Sequence, residues 1–270
     1  MKKRSVQALI LAIFIVSFAV SPASAQTTNT TFVVTPTNPY GWYFYDDTTD
    51  STTTATGNFV DGPATPPLGS GSVHLTALTA TDRQAIATNA YAGTPISNIT
   101  TWGYSTYQPG PTLAITLQFD IKYRTTDTAY GGRLVFEPYQ QSGTVGSGWQ
   151  TWNPYNGVWW ASKTTAAGSN GLCPQSSPCT WAQVTSSFPD ATINGRLLLR
   201  AGGNWTNFDG NADALTIGIT DGTATQVDTY DFNLHSAPTN AEQCKNGGYK
   251  TFNPSFKNQG QCIQYVNTGK

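Results

Sequence analysis

Charge is scarce in this sequence: 11% of its 270 residues are Asp, Glu, Lys or Arg, and only two are Glu, two His and one Met. With so little Glu and Lys there is not enough helix-forming material for long helices. The lone histidines, His74 and His235, come without an HExxH pair, a Gly-x-Ser-x-Gly elbow or a workable Ser/His/Asp set, which removes the common metallopeptidase and serine hydrolase designs. Past residue 20 no apolar run approaches the roughly 20 residues of a bilayer span. A net charge of −1 gives no basic footprint for nucleic acid. What the chain has instead is 26 Gly, 16 Pro, 12% aromatic residues, about forty Thr and 38% hydrophobic residues. Thr, Tyr, Trp, Val and Ile favour strands, and the apolar share is high enough to build a core, so disorder and collagen-like repeats are excluded.

Residues 1–25 read as a secretory signal peptide: Lys2, Lys3 and Arg4 start it, Ala8 to Val20 is apolar, and Ala23-Ser24-Ala25 is a small-residue cleavage site. Cleavage would remove 3 of the 14 cations, leaving 11 against 15 anions, about −4, with no span in the mature chain. The charge is uneven. Residues 236–270 hold Lys245, Lys250, Lys257 and Lys270 against Glu242, so the body is acidic and the tail basic. In an oxidising compartment Cys173, Cys179, Cys244 and Cys262 would pair. The shortest loops join Cys173 to Cys179 and Cys244 to Cys262, with chain-entropy contributions of about 2.4 and 3.2 kcal/mol. A four-Cys zinc site, the rival, lacks the usual C-x2-4-C knuckles.

Strand-like segments are Phe32 to Thr35, Trp42 to Tyr45, Val73 to Leu78, Gln84 to Thr88, Arg133 to Glu137, Trp149 to Trp152, Val158 to Trp160, Arg196 to Ala201, Leu215 to Ile219 and Thr229 to Leu234. The clearest is Leu113 to Tyr123. There Leu113, Ile115, Leu117, Phe119, Ile121 and Tyr123 alternate with Ala114, Thr116, Gln118, Asp120 and Lys122, predicting one buried and one wet face. Gln26 to Thr31 reads as a loose lead-in, and the Pro/Gly-rich stretch Asp61 to Gly71 as a long surface connection. One helix is expected over Thr180 to Phe188, between Pro178 and Pro189. The expected fold is all-β: a jelly-roll-like β-sandwich over residues 26–235 with one short helix. A linker and a disulfide-closed basic module over 236–270 follow, the module being too small to bury a core of its own.

The segments Val34-Thr-Pro-Thr-Asn-Pro-Tyr-Gly-Trp42, Gly62-Pro-Ala-Thr-Pro-Pro-Leu-Gly-Ser-Gly-Ser72, Arg133-Leu-Val-Phe-Glu-Pro-Tyr139, Cys173-Pro-Gln-Ser-Ser-Pro-Cys-Thr-Trp-Ala-Gln183 and Gly210-Asn-Ala-Asp-Ala-Leu-Thr-Ile-Gly218 resemble a family of uncharacterised secreted bacterial β-sandwich proteins. The tail, Glu242-Gln-Cys-Lys-Asn-Gly-Gly-Tyr-Lys-Thr-Phe252 and on to Cys262, is similar to a carboxyl-terminal module of such proteins. The resemblance spans nearly the whole mature chain, implies no activity, and so hands over no catalytic residue.

Three constellations remain for chemistry. A glycosidase needs two carboxylates, and Glu137 is the one Glu of the body, with Asp120 expected on the polar face of its strand. Asp209, Asn211 and Asp213 space oxygen ligands as hard calcium collects them, read as a turn before a strand; the plainer reading has Asp209 and Asn211 in turn hydrogen bonds and Asp213 tying down backbone amides. Asp46, Asp47 and Asp50 form a second acidic loop. Trp149, Trp152, Tyr155, Trp159 and Trp160 fall within twelve residues beside Asn153 and Asn156, either a ligand surface or core packing. Trp159 and Trp160 must face opposite ways in a strand, and His74, out of phase with Val73 and Leu75, should face solvent. The function expected is that of a secreted, non-catalytic protein binding an extracellular glycan or a cell-envelope polymer, with structural calcium as the one conceivable cofactor. A glycan-active hydrolase using Glu137, or a structural or adhesive surface protein, are the alternatives. Glu137 in an open cleft with an Asp about 5 to 9.5 Å away would mark the hydrolase.

Overall fold

The structure, a computed structural model, describes residues 26–110, 112–235, 238, 240–250, 252 and 256–269. The signal peptide reading over residues 1–25 lies outside them. Fourteen strands run in chain order: β1 Gln26–Val34, β2 Trp42–Asp46, β3 Asn58–Asp61, β4 Gly71–Ala77, β5 Arg83–Thr88, β6 Ile99–Gln108, β7 Thr116–Lys122, β8 Arg133–Phe136, β9 Gly148–Trp152, β10 Val158–Ala161, β11 Cys179–Thr180, β12 Thr192–Gly202, β13 Phe208–Thr220 and β14 Ala224–Phe232. They form two seven-stranded sheets, one of β1, β14, β13, β4, β3, β6 and β9, the other in the order β11-β10-β8-β7-β12-β5-β2. Among the described residues no helix is long and apolar enough to cross a membrane.

The sandwich core follows from period-two alternation. Leu117, Phe119 and Ile121 of β7, Leu197 and Leu199 of β12, Leu134 and Phe136 of β8 and Trp159 of β10 point inward from the second sheet. Val73 and Leu75 of β4, Trp102 and Tyr104 of β6 and Leu215 and Ile217 of β13 meet them from the first. Large rings concentrate at one end, where Trp159 lies 5.6 Å from Phe119, 5.3 Å from Trp181 and 6.0 Å from Trp102 between centroids, in the tilted and edge-on arrangements that ring quadrupoles favour.

Strand β13 organises the first sheet. One of its edges pairs with β6, while the other is shared, Phe208 to Ala212 with β4 and Leu215 to Thr220 with β14. At the split Ala214 takes a left-handed φ of 56°, the mark of a bulge. Asp213 sits there fully buried, and its carboxylate accepts from Leu68 N at 3.0 Å and Phe232 N at 2.9 Å, so one side chain pins the diverging strands and the connection before β4.

Several expectations are corrected. Residues 26–31 are no loose lead-in: they open β1, an edge strand paired in parallel with β14 from Gln26↔Ala224 to Val34↔Phe232. The strands β3, β6 and β11 went unseen, β6 because Gly103 and its Thr and Tyr neighbours blur the alternation of Ile99, Trp102 and Tyr104. The outer face of β7 is not wet, since Thr116, Gln118 and Asp120 are all buried. The expected helix is there as α1, Trp181–Ser187, with Thr180 and Gln183 forming a reciprocal capping box. A second, α2 Gln259–Thr268, was missed because its polar sequence has no apolar stripe; its start is set by Asn258, whose side chain accepts from Gln261 N.

Both disulfides form as expected, Cys173 to Cys179 and Cys244 to Cys262. In the tail Cys244 and Cys262 are fully buried, Phe256 packs on Phe252 at 5.9 Å and on Tyr265 at 5.4 Å, and Lys245, Lys250 and Lys257 stay exposed. Closing a loop of this length stabilises the module by about 3 kcal/mol in the chain-entropy model. Reduction should release residues 241–269 to limited proteolysis while the sandwich resists, a loss of about 3 kcal/mol for the tail alone; simultaneous digestion of both would contradict this division.

Candidate functional site

The outer face of the second sheet carries the polar residues that β7 hides. Cross-strand register lines up Tyr43, Ala87, Leu198, Gln118, Val135 and Trp160 as one row over six adjacent strands. The next row places Tyr45, Ala85, Arg200 and Thr116 side by side. Aromatic rings thus stand at both ends of a floor of alanines, Leu198, Val135 and an amide that is itself buried. Tyr45, Ala85, Ala87 and Leu198 form a small core cluster, so along the first row Tyr43 and Trp160 at the two ends are the half-buried members.

A chain of ion pairs crosses this face. Arg133 donates Nε to Asp120 Oδ1 at 2.8 Å and both Nη groups to Asp47 at 2.7 Å. Asp120 also accepts from Tyr130 OH at 2.9 Å and from Arg196 N and Nε. Burial by itself would raise the Asp120 pKa, yet Arg133, ahead of the other donors, holds it below the usual carboxylate range. Arg196 reaches on to Asp50 at 3.1 Å and lies 4.3 Å over the Tyr45 ring. The Tyr45 hydroxyl donates to Asp50, and burial with that bond pushes its pKa up to about 12. Arg200 is the least satisfied member. Its Nε stands 3.0 Å from Asp47 Oδ2 without the alignment of a hydrogen bond, and burial pulls its pKa down to about 10, still a cation at neutral pH.

At the Trp160 end Glu137 follows β8. It is 7% exposed, and its Oε2 accepts from Trp160 Nε1 at 2.8 Å and Gln175 Nε2 at 3.1 Å. Gln175, carried by the Cys173–Cys179 loop, also reaches the hydroxyl of Tyr139 at 3.2 Å. Tyr139 is 43% exposed, and burial of its hydroxyl followed by the nearby Glu137 raises its pKa. A carboxylate, an amide, an indole and a phenol converge here at the rim of the face, while Asp47, Asp50 and Asp120 are each taken up by a guanidinium.

The five aromatics singled out in sequence do not form one surface. Trp159 and Trp152 are core residues, Trp152 donating Nε1 to Thr106 Oγ1 at 2.8 Å. Trp149 closes the far sheet, packed on Tyr107 and donating to Pro63 O at 2.8 Å. Tyr155 stands on a single turn at the end of the sandwich, and Trp160 alone reaches the outer face of the second sheet. Asp209, Asn211 and Asp213 lie inside β13 rather than in a turn, and their polar groups are engaged separately. Asp209 pairs with His74 at 2.9 Å, Asn211 donates its Nδ2 to Ser72 Oγ at 3.0 Å, and Asp213 takes the two amides named above. Among the described residues no three His, Cys, Asp or Glu side chains gather as a metal site. Likewise Asp47 and Asp50 meet arginines, and Asp46 accepts from Thr48 N and Thr49 Oγ1.

Sequence reasoning missed Tyr43, Tyr45, Gln118, Arg133, Arg200, Tyr139 and Gln175. The signal was present only as three neighbouring strands that each carry charge or amide in alternate positions, and it becomes a face once register joins them.

No protein-family model matches the chain, and no curated protein matches it. Two solved structures are similar in part. One is a family 11 carbohydrate-binding module from Clostridium thermocellum in complex with a beta-1,3-1,4-mixed-linked tetrasaccharide, at 10% identity and a TM-score of 0.37, over 66% of this chain and 88% of that one. The other is the family 11 carbohydrate-binding module of the cellulosomal cellulase Lic26A-Cel5E of Clostridium thermocellum, at 9% identity and a TM-score of 0.38, over 66% and 86%. At this level of likeness neither ligand nor residue role transfers.

Proposed function

We propose that the chain is an exported glycan-binding protein that holds an extracellular or cell-envelope polysaccharide, without cleaving it, at the Trp160–Tyr139 rim of the second sheet's outer face. The observation that carries this reading is the cluster at the rim: Trp160 and Tyr139 offer ring faces, and Glu137 and Gln175 offer fixed acceptors and donors beside them. Sugar rings combine apolar C–H faces with hydroxyl edges and fit such mixed surfaces. Binding is favoured over hydrolysis because a glycosidase needs a second carboxylate free to act, and the Asp side chains of this face are engaged by Arg133, Arg196 and Arg200. Two disulfides suit an oxidising compartment, in keeping with export. The exposed lysines of the tail would add a salt-sensitive hold on an anionic envelope polymer.

A glycan-array screen followed by calorimetry on the best ligand tests the reading. Trp160→Ala should weaken binding by about tenfold or more, roughly 1.4 kcal/mol, with Glu137→Gln weakening it less and Trp149→Phe, on the other sheet, leaving it unchanged. Affinity indifferent to Trp160 and Glu137 would overturn it, and release of reducing ends from the bound glycan would restore the hydrolase.

A further inference from the structure

A second cavity lies away from that face, at the end of the sandwich where α1 and the turn Pro154–Asn156 cap the aromatic core. Its volume is about 670 Å³, and its lining includes Ser97, Tyr155, Asn156, Trp181, Thr185 and Ser186. Small-ligand sites run from about 300 to 1,000 Å³. None of the residues lining it is charged, which leaves no counter-ion for an anionic or cationic ligand, while the hydroxyls of Ser97 and Tyr155 and the amide of Asn156 suit a neutral one.

The cavity is held rigid from three sides. Trp181 forms its floor, packed 5.3 Å from Trp159 and 6.1 Å from Trp102. Tyr155 is placed by Pro154, whose carbonyl accepts the buried Trp159 Nε1 at 2.8 Å, and by Asn153, whose side chain accepts Asn156 N at 3.3 Å. The helix wall is fixed by the Thr180–Gln183 capping box and by the Cys173–Cys179 bridge just before it. On the helix wall Thr180, Thr185 and Ser186 spend their hydroxyls on Gln183, on Trp181 O and Ala182 O, and on Gln183 O, whereas three other lining side chains are uncommitted. Tyr155 is 39% exposed, and the side chains of Ser97, Tyr155 and Asn156 have no hydrogen-bond partner among the described residues. A half-exposed ring beside unspent donors and acceptors, on a scaffold braced by these bonds, lowers the ordering cost of binding.

We propose that this cavity is a second, independent site for a neutral carbohydrate, one sugar ring lying against Tyr155 with its hydroxyls meeting Ser97 and Asn156. The site does not depend on the outer face, so occupancy of both by one polysaccharide would add avidity.

Amide NMR on the full chain decides it, with titration by neutral gluco-, manno- and xylo-oligosaccharides of wild type, Trp160→Ala, Tyr155→Ala and Tyr155→Phe. At least one oligosaccharide should give saturable shifts at Ser97, Asn156 and Thr185. Those shifts should persist in Trp160→Ala, weaken by about tenfold in Tyr155→Ala and remain near wild type in Tyr155→Phe. No saturable shift at these residues with any oligosaccharide, or shifts untouched by Tyr155→Ala, would overturn the second site. Shifts here with none around Trp160 would instead sink the outer-face reading and leave this one standing.

Discussion

Replacing Arg133 by alanine is expected to lower the stability of the sandwich by about 3–5 kcal/mol, the cost of breaking a buried charge network from its middle. Arg133 is 7% exposed and bridges Asp47, in the turn after β2, to Asp120 on β7, two carboxylates far apart in sequence. Without it Asp47 keeps only the imperfectly aligned Arg200, and Asp120 keeps Arg196 and Tyr130. Urea unfolding of Arg133→Ala, Asp47→Asn and the double variant separates the loss of the pair from the loss of packing, because the double variant should cost clearly less than the sum of the two singles. A single-variant loss under about 1 kcal/mol would place the network with exposed surface pairs. The pH sign follows from Asp120. Its folded pKa lies below 3.8, so its contribution is complete above that value and is lost as pH falls through the lower, folded one.

The opposite limb should belong to Asp213. Burial, the largest influence, together with the neighbouring Asp231 outweighs the amides that donate to it and pushes its pKa up to about 8; burial lifts Asp231 to about 6. A raised folded pKa means that the native state holds its proton more tightly than the unfolded chain. The stability it contributes is therefore complete below 3.8 and is lost as pH climbs through about 6 for Asp231 and about 8 for Asp213. Together with the acid limb this puts the optimum in mildly acidic solution. Between about pH 5 and about pH 9 wild type should lose on the order of 5 kcal/mol, about three pH units from Asp213 and one from Asp231. Asp213→Asn, which cannot ionise, should flatten most of that slope in chemical denaturation, and parallel profiles for the two proteins would refute the assignment.

How much of this was readable beforehand differs by residue. The core strands announced themselves through Leu117, Phe119 and Ile121 in strict alternation, and α1 through Thr180, Gln183 and the flanking prolines, because those signals are local. The disulfides were legible for the same reason, as the shortest loops. The outer face was not. The alternation of its strand predicts a solvated Asp120, and nothing local says that Arg133 and Arg196 arrive on either side of it. Trp160 was among the aromatics chosen, but its working neighbours Tyr139, Glu137 and Gln175 come from a turn and a disulfide loop whose approach only tertiary packing fixes. Asp213 was half legible: the reading that it ties down backbone amides holds, since it accepts from Leu68 N and Phe232 N, but the turn expected around it is a long strand with a bulge at Ala214.

The pairing of β1 with β14 sets an order of events. Gln26 meets Ala224, and 224 less 26 leaves 198 positions of chain to be synthesised between the two halves of that contact. Closing so long a loop is entropically slow and becomes favourable only after the intervening strands have docked. A chain emerging amino end first, from a ribosome or a translocation pore, must therefore wait with β1 unpaired until nearly all of the sandwich is through. Its first residues include Thr27, Thr28, Asn29, Thr30 and Thr31, polar enough to remain solvated during that wait, whereas Phe32, Val33 and Val34 form the part that needs its partner. The first strand to appear is then the last to be secured, and the molecule reaches its sealed form only after synthesis has passed Phe232.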